Sequence, residues 1–239
     1  MAINVNTVYT TVLSILNKEQ RGYITPDEFN KLATQVQLDI FENYFEDMNQ
    51  QLRVPQTDSE YANRQKNIDN LISIFKTIGD ATYESPTTGT PYFQVPSDLH
   101  RIGTVIHKGE KEIQRLERND FLHVNLSPLT KPTEEFPVYL YEGNSSQPYI
   151  YIHPTSITSD VSISYIKKPD DVVWGFNVDA TLGSYIYDST SSTQFQLDET
   201  EQVEVILRIL AYAGVVIRDP QIVQAAQQAV QAEEVNSKS

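Results

Sequence analysis

The sequence contains no cysteine, and its 239 residues include only 18 Lys and Arg against 32 Asp and Glu. Without thiols, the chain cannot build disulfide frameworks, thiolate zinc sites, iron–sulfur clusters or cysteine nucleophiles. The net charge of -14 argues against a nucleic-acid clamp, because neutralising phosphates requires clustered cations. We therefore expect a chain that repels DNA rather than gripping it.

Long hydrophobic runs are also missing. No stretch approaches the roughly 18 consecutive apolar residues of a membrane helix, and the first residues carry neither a basic flank nor an apolar signal core. We therefore expect a protein made in the cytoplasm, with no membrane partner. The apolar content of 39% is still sufficient for a core, so this length predicts one domain or two small ones.

Motifs for catalysis or metal binding are absent. The sequence has no G-x-S-x-G elbow and no glycine-rich phosphate loop, and its four histidines do not have the spacing of a helical metal site. Adjacent acids at residues 134–135, 170–171 and 233–234 favour solvated turns or helix faces over an acid–base pair, because neighbouring side chains point apart. We therefore predict that the chain is not an enzyme and holds no cofactor or metal.

Residues 17–28 come closest to a metal motif, because they have the glycine, isoleucine and final glutamate spacing of a calcium loop. Calcium requires oxygen ligands at the first, third and fifth positions, whereas Asn17 is neutral and Arg21 places a cation at a ligand position. These departures favour a helix–turn–helix corner in which Glu28 caps the second helix. A calcium-binding module is the alternative.

Three apolar stripes at helical spacing predict a helical N-terminal part. The second of these helices begins at a capping box formed by Thr25 and Glu28, with Pro26 at the first helical position, and extends towards Pro55. The stripes consist of Val5, Val8, Val12, Ile15 and Leu16; of Phe29, Leu32, Val36, Ile40, Tyr44, Met48 and Leu52, widened by Phe41 and Phe45; and of Ile68, Leu71, Ile72, Phe75 and Ile78.

A β-rich region follows the proline- and glycine-containing residues 85–91, which predict a linker. Runs of β-branched and aromatic residues predict antiparallel strands at residues 102–107, 138–141, 149–153 and 161–166. Residues 177–197 are compatible with either an exposed hairpin or a long loop. The alternating tyrosines of the strands, Tyr139, Tyr141, Tyr149 and Tyr151, favour packing over a sugar-binding platform.

The C-terminal part is predicted to be helical again. Residues 203–217 are almost continuously apolar, which indicates burial on all sides in a core or a subunit interface, and residues 221–234 carry a weaker stripe suited to docking. We expect residues 221–232 to become ordered only on binding a partner. The candidate subunit or portal interface comprises Ile206, Leu210, Tyr212, Ile217, Ile222, Val223, Ala226 and Val230.

A modest basic stretch lies in the β-rich region and contains Lys108, Lys111, Arg115 and Arg118. One interpretation is a solvated strand or turn face. The other is a contact with a matching acidic surface on a neighbouring subunit. The sequence leaves both open.

Three stretches together resemble virion structural proteins of short-tailed bacteriophages, and are most like the neck ring proteins of crAss-like phages. The resemblance spans residues 1 to about 235, and its motifs are specific only in combination. The stretches are residues 16–52 with the Lys18-Glu19-Gln20-Arg21-Gly22-Tyr23-Ile24-Thr25-Pro26 turn, the Val95-Pro96-Ser97-Asp98-Leu99 run into a strand, and Tyr187-Asp188-Ser189-Thr190 through Phe195-Gln196-Leu197 into the helix of residues 201–220.

This resemblance implies a head-to-tail connector, an adaptor found in the neck and tail of the virion and assembled in the host cytoplasm. The implied partners are further copies of the chain in a cyclic ring, usually a dodecamer, the portal protein, and an adjacent neck ring or tail protein. Double-stranded DNA would pass through the ring without sequence-specific binding, which agrees with a like-charged lumen that has no phosphate clamp. No catalytic residues carry over from the family.

We therefore predict an α+β fold with a helical bundle formed by the N- and C-terminal helices and a sandwich-like antiparallel β insertion. We predict three parts. Residues 1–84 form a helical N-terminal part, and residues 85–197 form a β-rich insertion. Residues 198–239 form C-terminal helices and a tail that pack on the N-terminal part. Two other functional classes are a receptor- or glycan-binding virion protein that uses the β-rich part and the calcium module of residues 17–28. Glycan-array binding would favour the former, and calcium-dependent helicity the latter.

Overall fold

We analysed a computed structural model that describes residues 2–18, 23–51, 66, 68–87, 89–143, 148–179, 181, 183–216, 228, 230 and 231. The chain divides into two compact units, unit 1 (Met1–Ile74 and Pro169–Ser239) and unit 2 (Phe75–Lys168). Unit 2 is closed at its base, where the Lys167 N–H donates to the Phe75 carbonyl oxygen at 2.9 Å. The two units therefore divide the chain at 74/75 and 168/169, whereas the sequence placed the β-rich part at residues 85–197.

The mixed helix and strand composition confirms the predicted α+β class in its coarse form. The helices are α1 (Val5–Lys18), α2 (Pro26–Gln51), α3 (Arg118–Leu126) and α4 (Gln202–Val216); residues 68–73 are also helical, and a 3-10 turn (Glu199–Glu201) precedes α4. The strands are β1 (Lys76–Asp80), β2 (Thr82–Glu84), β3 (Tyr92–Gln94), β4 (Leu99–His107), β5 (Lys111–Arg115), β6 (Val138–Gly143), β7 (Pro148–His153), β8 (Val161–Lys167), β9 (Phe176–Val178) and β10 (Tyr185–Tyr187).

Unit 1 contains α1, α2 and α4, and both N-terminal helices contact α4. The predicted capping box of α2 is confirmed: the Glu28 carboxylate accepts from the Thr25 N–H at 2.9 Å, and the Thr25 hydroxyl accepts from the Glu28 N–H at 3.3 Å. The described residues of the predicted α1 and α2 stripes point into the core, with Ile15 exposed as an exception. The Met48 side chain and Leu52 lie outside the described part of the chain. Buried residues of the two stripes include Val5, Val8, Val12, Leu16, Phe29, Val36, Ile40, Phe41, Tyr44 and Phe45.

The segment between unit 2 and α4 contains a hairpin followed by a short loop. Of the two alternatives for residues 177–197, an exposed hairpin or a long loop, the structure therefore shows the hairpin. Strands β9 and β10 pair antiparallel, with Tyr185 opposite Val178, and form a separate two-stranded sheet. An isolated bridge joins Val173 to Thr193. The base of the hairpin lies on an aromatic cluster in which Trp174 stacks on Phe176 at a centroid distance of 5.9 Å.

Unit 2 is one nearly closed eight-stranded sheet with the strand order β1-β8-β4-β5-β6-β7-β3-β2. The four strands predicted from sequence are all present, as parts of β4, β6, β7 and β8. All neighbouring strands are antiparallel except β5 and β6, which are parallel and are connected through α3. The core consists of Phe93, Val95, Val105, Ile113, Tyr139, Ile150, Ile152, Ile157, Val161, Ile163 and Tyr165.

Three predictions about this region were wrong. The third helix does not reach Ile78, because residues 76–80 pair with β8 and their β-branched side chains suit a strand. Residues 85–91 are the loop of the β2–β3 hairpin rather than a linker between domains. The β part is also not a sandwich: only Ala81 separates β1 from β2, so the two edges of a single sheet are joined by one residue.

Candidate functional site

The chemistry for catalysis is sparse in the part of the chain that the structure describes. No group of three or more His, Asp or Glu side chains lies close enough there to hold a metal ion. A shallow open depression in unit 2 is lined by Asp80, Lys108, Gly109, Asp160 and Ser162. None of the described helices combines the length and apolarity needed to cross a membrane.

Two histidines of unit 2 serve packing. His107 is buried, and burial lowers its pKa, helped by the neighbouring Lys108. Burial also lowers the pKa of His153, again helped by a cation, Arg118, and its ring stacks on Phe121 at a centroid distance of 4.3 Å. Both imidazoles are therefore neutral at neutral pH, and the His153 stack holds α3 against β7.

The predicted basic stretch lies on the β4–β5 turn, on β5 and at the start of α3. Lys111 pairs with Glu135 at 3.1 Å, Arg115 lies 3.7 Å from Glu117, and the Arg118 Nε donates to Glu142 at 2.7 Å. Lys108 lies at the depression instead. Three of the four cations thus have carboxylate partners inside unit 2, which reduces the positive charge that they offer to an external acid.

The candidate interface residues of α4 are divided between core and surface. Leu210 is buried, Ile206 is half-buried, and the Tyr212 hydroxyl donates to the Asp39 carboxylate at 2.6 Å. Helix α4 is not buried on all sides within this chain, since Val203 is 57% exposed. Burial of its exposed side in a subunit interface stays a prediction. The buried face consists of Val205, Ile209, Leu210, Ala213 and Gly214.

The rest of the predicted interface lies almost entirely outside the described residues. Ile217, Ile222, Val223 and Ala226 fall there, as does most of the tail at residues 221–232 that we expect to become ordered on docking. Val230 is described as a helical, half-buried residue. Part of the candidate calcium loop, residues 19–22, is outside as well.

Three exposed leucines on and just after α3 were not identified from the sequence. We call them the α3 stripe: Leu122, Leu126 and Leu129. These side chains are 58%, 79% and 97% exposed, and α3 has no buried residue. Their i, i+4, i+7 spacing was a readable signal.

The turn after α3 holds the last leucine of the stripe in place. The Thr130 hydroxyl donates to the Val124 carbonyl oxygen at 2.8 Å, and the Lys131 N–H donates to the Ser127 carbonyl oxygen at 3.0 Å. Phe136, further along the same crossover, is 79% exposed. The crossover from β5 to β6 therefore carries four exposed apolar side chains.

The negative charge is distributed unequally between the units. Unit 2 has nine Lys and Arg against eleven Asp and Glu, a net charge of -2. Unit 1 has the remaining nine cations against twenty-one acids, a net charge of -12. Residues 169–207 contribute eight of these acids and no Lys or Arg. The acidity predicted for the whole chain is thus a property of unit 1.

Three half-buried tyrosines cluster on β3 and β7. The rings of Tyr92 and Tyr149 are 5.0 Å apart, and those of Tyr149 and Tyr151 are 5.3 Å apart. The pairing of Phe93 with Ile150 brings the two strands together, so Tyr92, distant in sequence, joins the pair that the sequence had identified. The cluster is a small aromatic surface with three hydroxyl groups.

Comparison with models of known protein families and with curated proteins finds no match to this chain.

Proposed function

We propose that this chain is a non-enzymatic subunit of a head-to-tail connector, a ring in the neck of a short-tailed bacteriophage that joins the capsid portal to the tail. Helices α1, α2 and α4 form its helical body as a bundle, and unit 1 lines the channel. The partners are further copies of the chain, the portal protein, an adjacent neck or tail protein, and the DNA that passes through.

The observation that carries this proposal is the net charge of -12 on unit 1. Repeated around a ring, this charge makes a lumen from which DNA phosphates are repelled, so packaged DNA slides without being held. A surface for binding DNA would need the opposite sign. Unit 2, with a net charge of -2, is the part suited to contacts with other proteins.

The experiment is negative-stain electron microscopy of the purified chain, alone and mixed with the portal protein of the same phage. We expect rings with a central channel that stack on the portal. A chain that neither forms rings nor binds the portal would contradict the proposal.

Charge reversal tests which unit lines the channel. Asp171→Lys with Glu199→Lys changes two exposed acids of unit 1, and Glu110→Lys with Glu112→Lys makes the same change in unit 2 as a matched control. Assembled rings of the first variant should retain double-stranded DNA in a gel-shift assay, whereas rings of the control should not. Equal retention by both would contradict the assignment of the lumen to unit 1.

A second candidate is a receptor- or glycan-binding virion protein, favoured by the cluster of Tyr92, Tyr149 and Tyr151. Aromatic faces with adjacent hydroxyl groups suit the apolar face and the hydroxyl groups of a sugar ring. Glycan-array binding that is lost in Tyr149→Ala and kept in Tyr185→Ala, a tyrosine of the β9–β10 hairpin, would favour it.

A further inference from the structure

A helix that contributes no side chain to the core is unusual in a folded domain, because helices in proteins are stabilised mainly by burying an apolar face. Helix α3 has nine residues, none of them buried. Its attachment to the sheet depends instead on the stack of Phe121 on His153 and on the hydrogen bond of Arg118 to Glu142. These contacts hold the helix through Phe121 and Arg118 and leave Leu122 and Leu126 exposed.

Two leucines of the α3 stripe have the spacing by which a helix binds a partner. Leu122 and Leu126, at i and i+4, lie on one face of α3, as anchor residues do in helices that dock into apolar grooves. The most exposed leucine, Leu129, lies just beyond the helix and is held by the turn that includes Thr130. Burying exposed leucines is favourable because it removes apolar surface from water.

Charge identifies the kind of partner that this surface fits. Residues 121–130 contain no Asp, Glu, Lys or Arg, within a chain of which 21% is charged. The charged residues that flank this run, Arg118, Asp120 and Lys131, have both signs, and Arg118 is paired to Glu142. Such a rim favours neither a cationic nor an anionic partner, and it is complementary to a surface with the same mixture of charges.

Charge also makes unit 1 the less favourable unit for contacts between copies. Copies that each carry a net charge of -14 repel one another, and -12 of this charge is on unit 1. An apolar surface on the nearly neutral unit 2 allows contact with the least repulsion. We propose that Leu122, Leu126 and Leu129 form a docking stripe that binds unit 2 of a second copy of this chain.

The role of the α3 stripe as the lateral contact between ring subunits rests on the proposed function. The inference also places the contact between copies at α3 instead of α4. Leu210, a residue of the interface predicted on α4, is buried in the core of its own chain. Self-association through the α3 stripe can be tested without the portal protein or DNA. The docking proposal and the connector proposal can therefore fail separately.

The test is sedimentation velocity of the full chain across a wide concentration series. We expect the wild-type chain to self-associate, and Leu126→Asp and Leu129→Asp each to raise the self-association Kd about tenfold or more. Both side chains are largely exposed, so circular dichroism and the thermal midpoint should be unchanged. The matched control is Val178→Asp, which adds the same charge at an apolar side chain of unit 1 that is 58% exposed and should leave the Kd unchanged.

A second measurement does not depend on disrupting the contact. Because the chain has no cysteine, Leu129→Cys provides a single labelling position for an environment-sensitive fluorophore. Its emission should shift to the blue as concentration rises, whereas the same label at Val178→Cys should not respond. A wild-type chain that stays monomeric at the highest concentration, or a Kd that changes equally in the stripe variants and the control, would overturn the inference. Rings on the portal that tolerate Leu126→Asp would overturn the stripe as the ring contact and leave the connector proposal standing.

Discussion

Asn30 of α2 binds both backbone hydrogen-bonding groups of Trp174, a residue 144 positions away in the sequence. The Trp174 N–H donates to the Asn30 Oδ1 at 2.7 Å, and the Asn30 Nδ2 donates to the Trp174 carbonyl oxygen at 3.4 Å. The side chain thereby pairs with the extended backbone as a neighbouring β-strand would.

Two further side chains of α2 continue this pairing. Thr34 accepts from the Val172 N–H at 3.0 Å, and Gln37 donates to the Asp170 carbonyl oxygen at 2.7 Å. The helix rises roughly 10 Å between positions 30 and 37. An extended chain covers roughly 13 Å from position 170 to position 174. Because these two lengths are similar, three side chains of α2 can reach three alternate residues of the segment. The α2 side chains thus satisfy alternate residues of a backbone segment that pairs little with other strands.

Asn30→Leu should therefore destabilise unit 1 by about 1–3 kcal/mol, because it leaves the partly buried Trp174 N–H without its acceptor. Urea denaturation followed by the single tryptophan measures the change. The control is Gln35→Ala on the exposed side of α2, where the hydrogen bond to Asp39 is exposed and the loss should stay within about 0.5 kcal/mol. Equal effects of the two substitutions would show that the pairing with Trp174 contributes nothing.

Thr25→Ala should cost about 1 kcal/mol through loss of the N-cap of α2. It should also raise the pKa of Glu28, which the Thr25 N–H and then the Thr25 hydroxyl hold below the ordinary value of 4.5. Because that folded-state pKa is lowered, the carboxylate stabilises the fold above the unfolded-state pKa, and this stability is lost as pH falls through the folded-state pKa.

NMR titration of Glu28 and denaturation below and above pH 4.5 measure both effects of Thr25→Ala. Thr10→Ala, on the exposed surface of α1, is the control and should be neutral or slightly stabilising, because alanine is the better helix former. An unchanged Glu28 titration in Thr25→Ala would contradict the role assigned to the hydroxyl.

Gly103→Ala should destabilise unit 2 by about 1–3 kcal/mol. A Cβ at this position would lie 2.7 Å from the Ser164 backbone oxygen of the neighbouring strand, at an irregularity of β4 where the register shifts. The backbone of β8 has no room to move aside, because β1 pairs with it on its other edge. Thr104→Ala, exposed on the same strand, should change the thermal midpoint little, and a similar loss there would exclude the close approach as the cause.

Alkaline pH should weaken unit 2 through Tyr165. Burial, together with the hydrogen bond that its hydroxyl donates to Asp98 at 2.9 Å, raises the pKa of Tyr165 to about 12. Because the folded state holds the proton more tightly than the unfolded state, whose pKa is about 10, this stability is complete below pH 10 and is lost as pH rises towards 12.

Tyr165→Phe should lose about 1.5–3 kcal/mol at neutral pH, as expected for a hydrogen bond to a charged group, and should flatten the decline above pH 10. The difference between the ultraviolet tyrosinate titrations of the wild type and Tyr165→Phe isolates Tyr165 among the 14 tyrosines. The same difference in the Asp98→Asn background gives its pKa without the carboxylate. The pKa of Tyr165 should fall in Asp98→Asn, and an unchanged value would contradict the contribution of this hydrogen bond.

Local signals in the sequence were sufficient wherever neighbouring residues decide the outcome. The stripe of Val5, Val8 and Val12 and the capping box of Thr25 and Glu28 predicted α1 and the start of α2, because helical periodicity and caps involve residues within a turn of one another. Four strands of unit 2 were predicted for the same reason, since alternation along a strand is visible without its partner.

Long-range pairing decided the rest. Ile78 fits a helical stripe by spacing, but it lies in a strand because β8 offers a complete antiparallel partner. The separation of charge between the units became visible only when the chain was divided at residues 74/75 and 168/169, since the acids of residues 169–207 join the N-terminal helices rather than the sheet. The exposure of Leu126 likewise depends on which elements fill the interior.

The sequence by itself determined the starts of α1 and α2, four of the ten described strands, the absence of thiol chemistry and the total charge of -14. Only the tertiary structure decided that the sheet closes nearly on itself, that Asn30 pairs with Trp174, and that the leucines of α3 remain outside. The physical reason is that burial and hydrogen bonding between distant residues depend on which segments meet, and composition and periodicity do not specify those meetings.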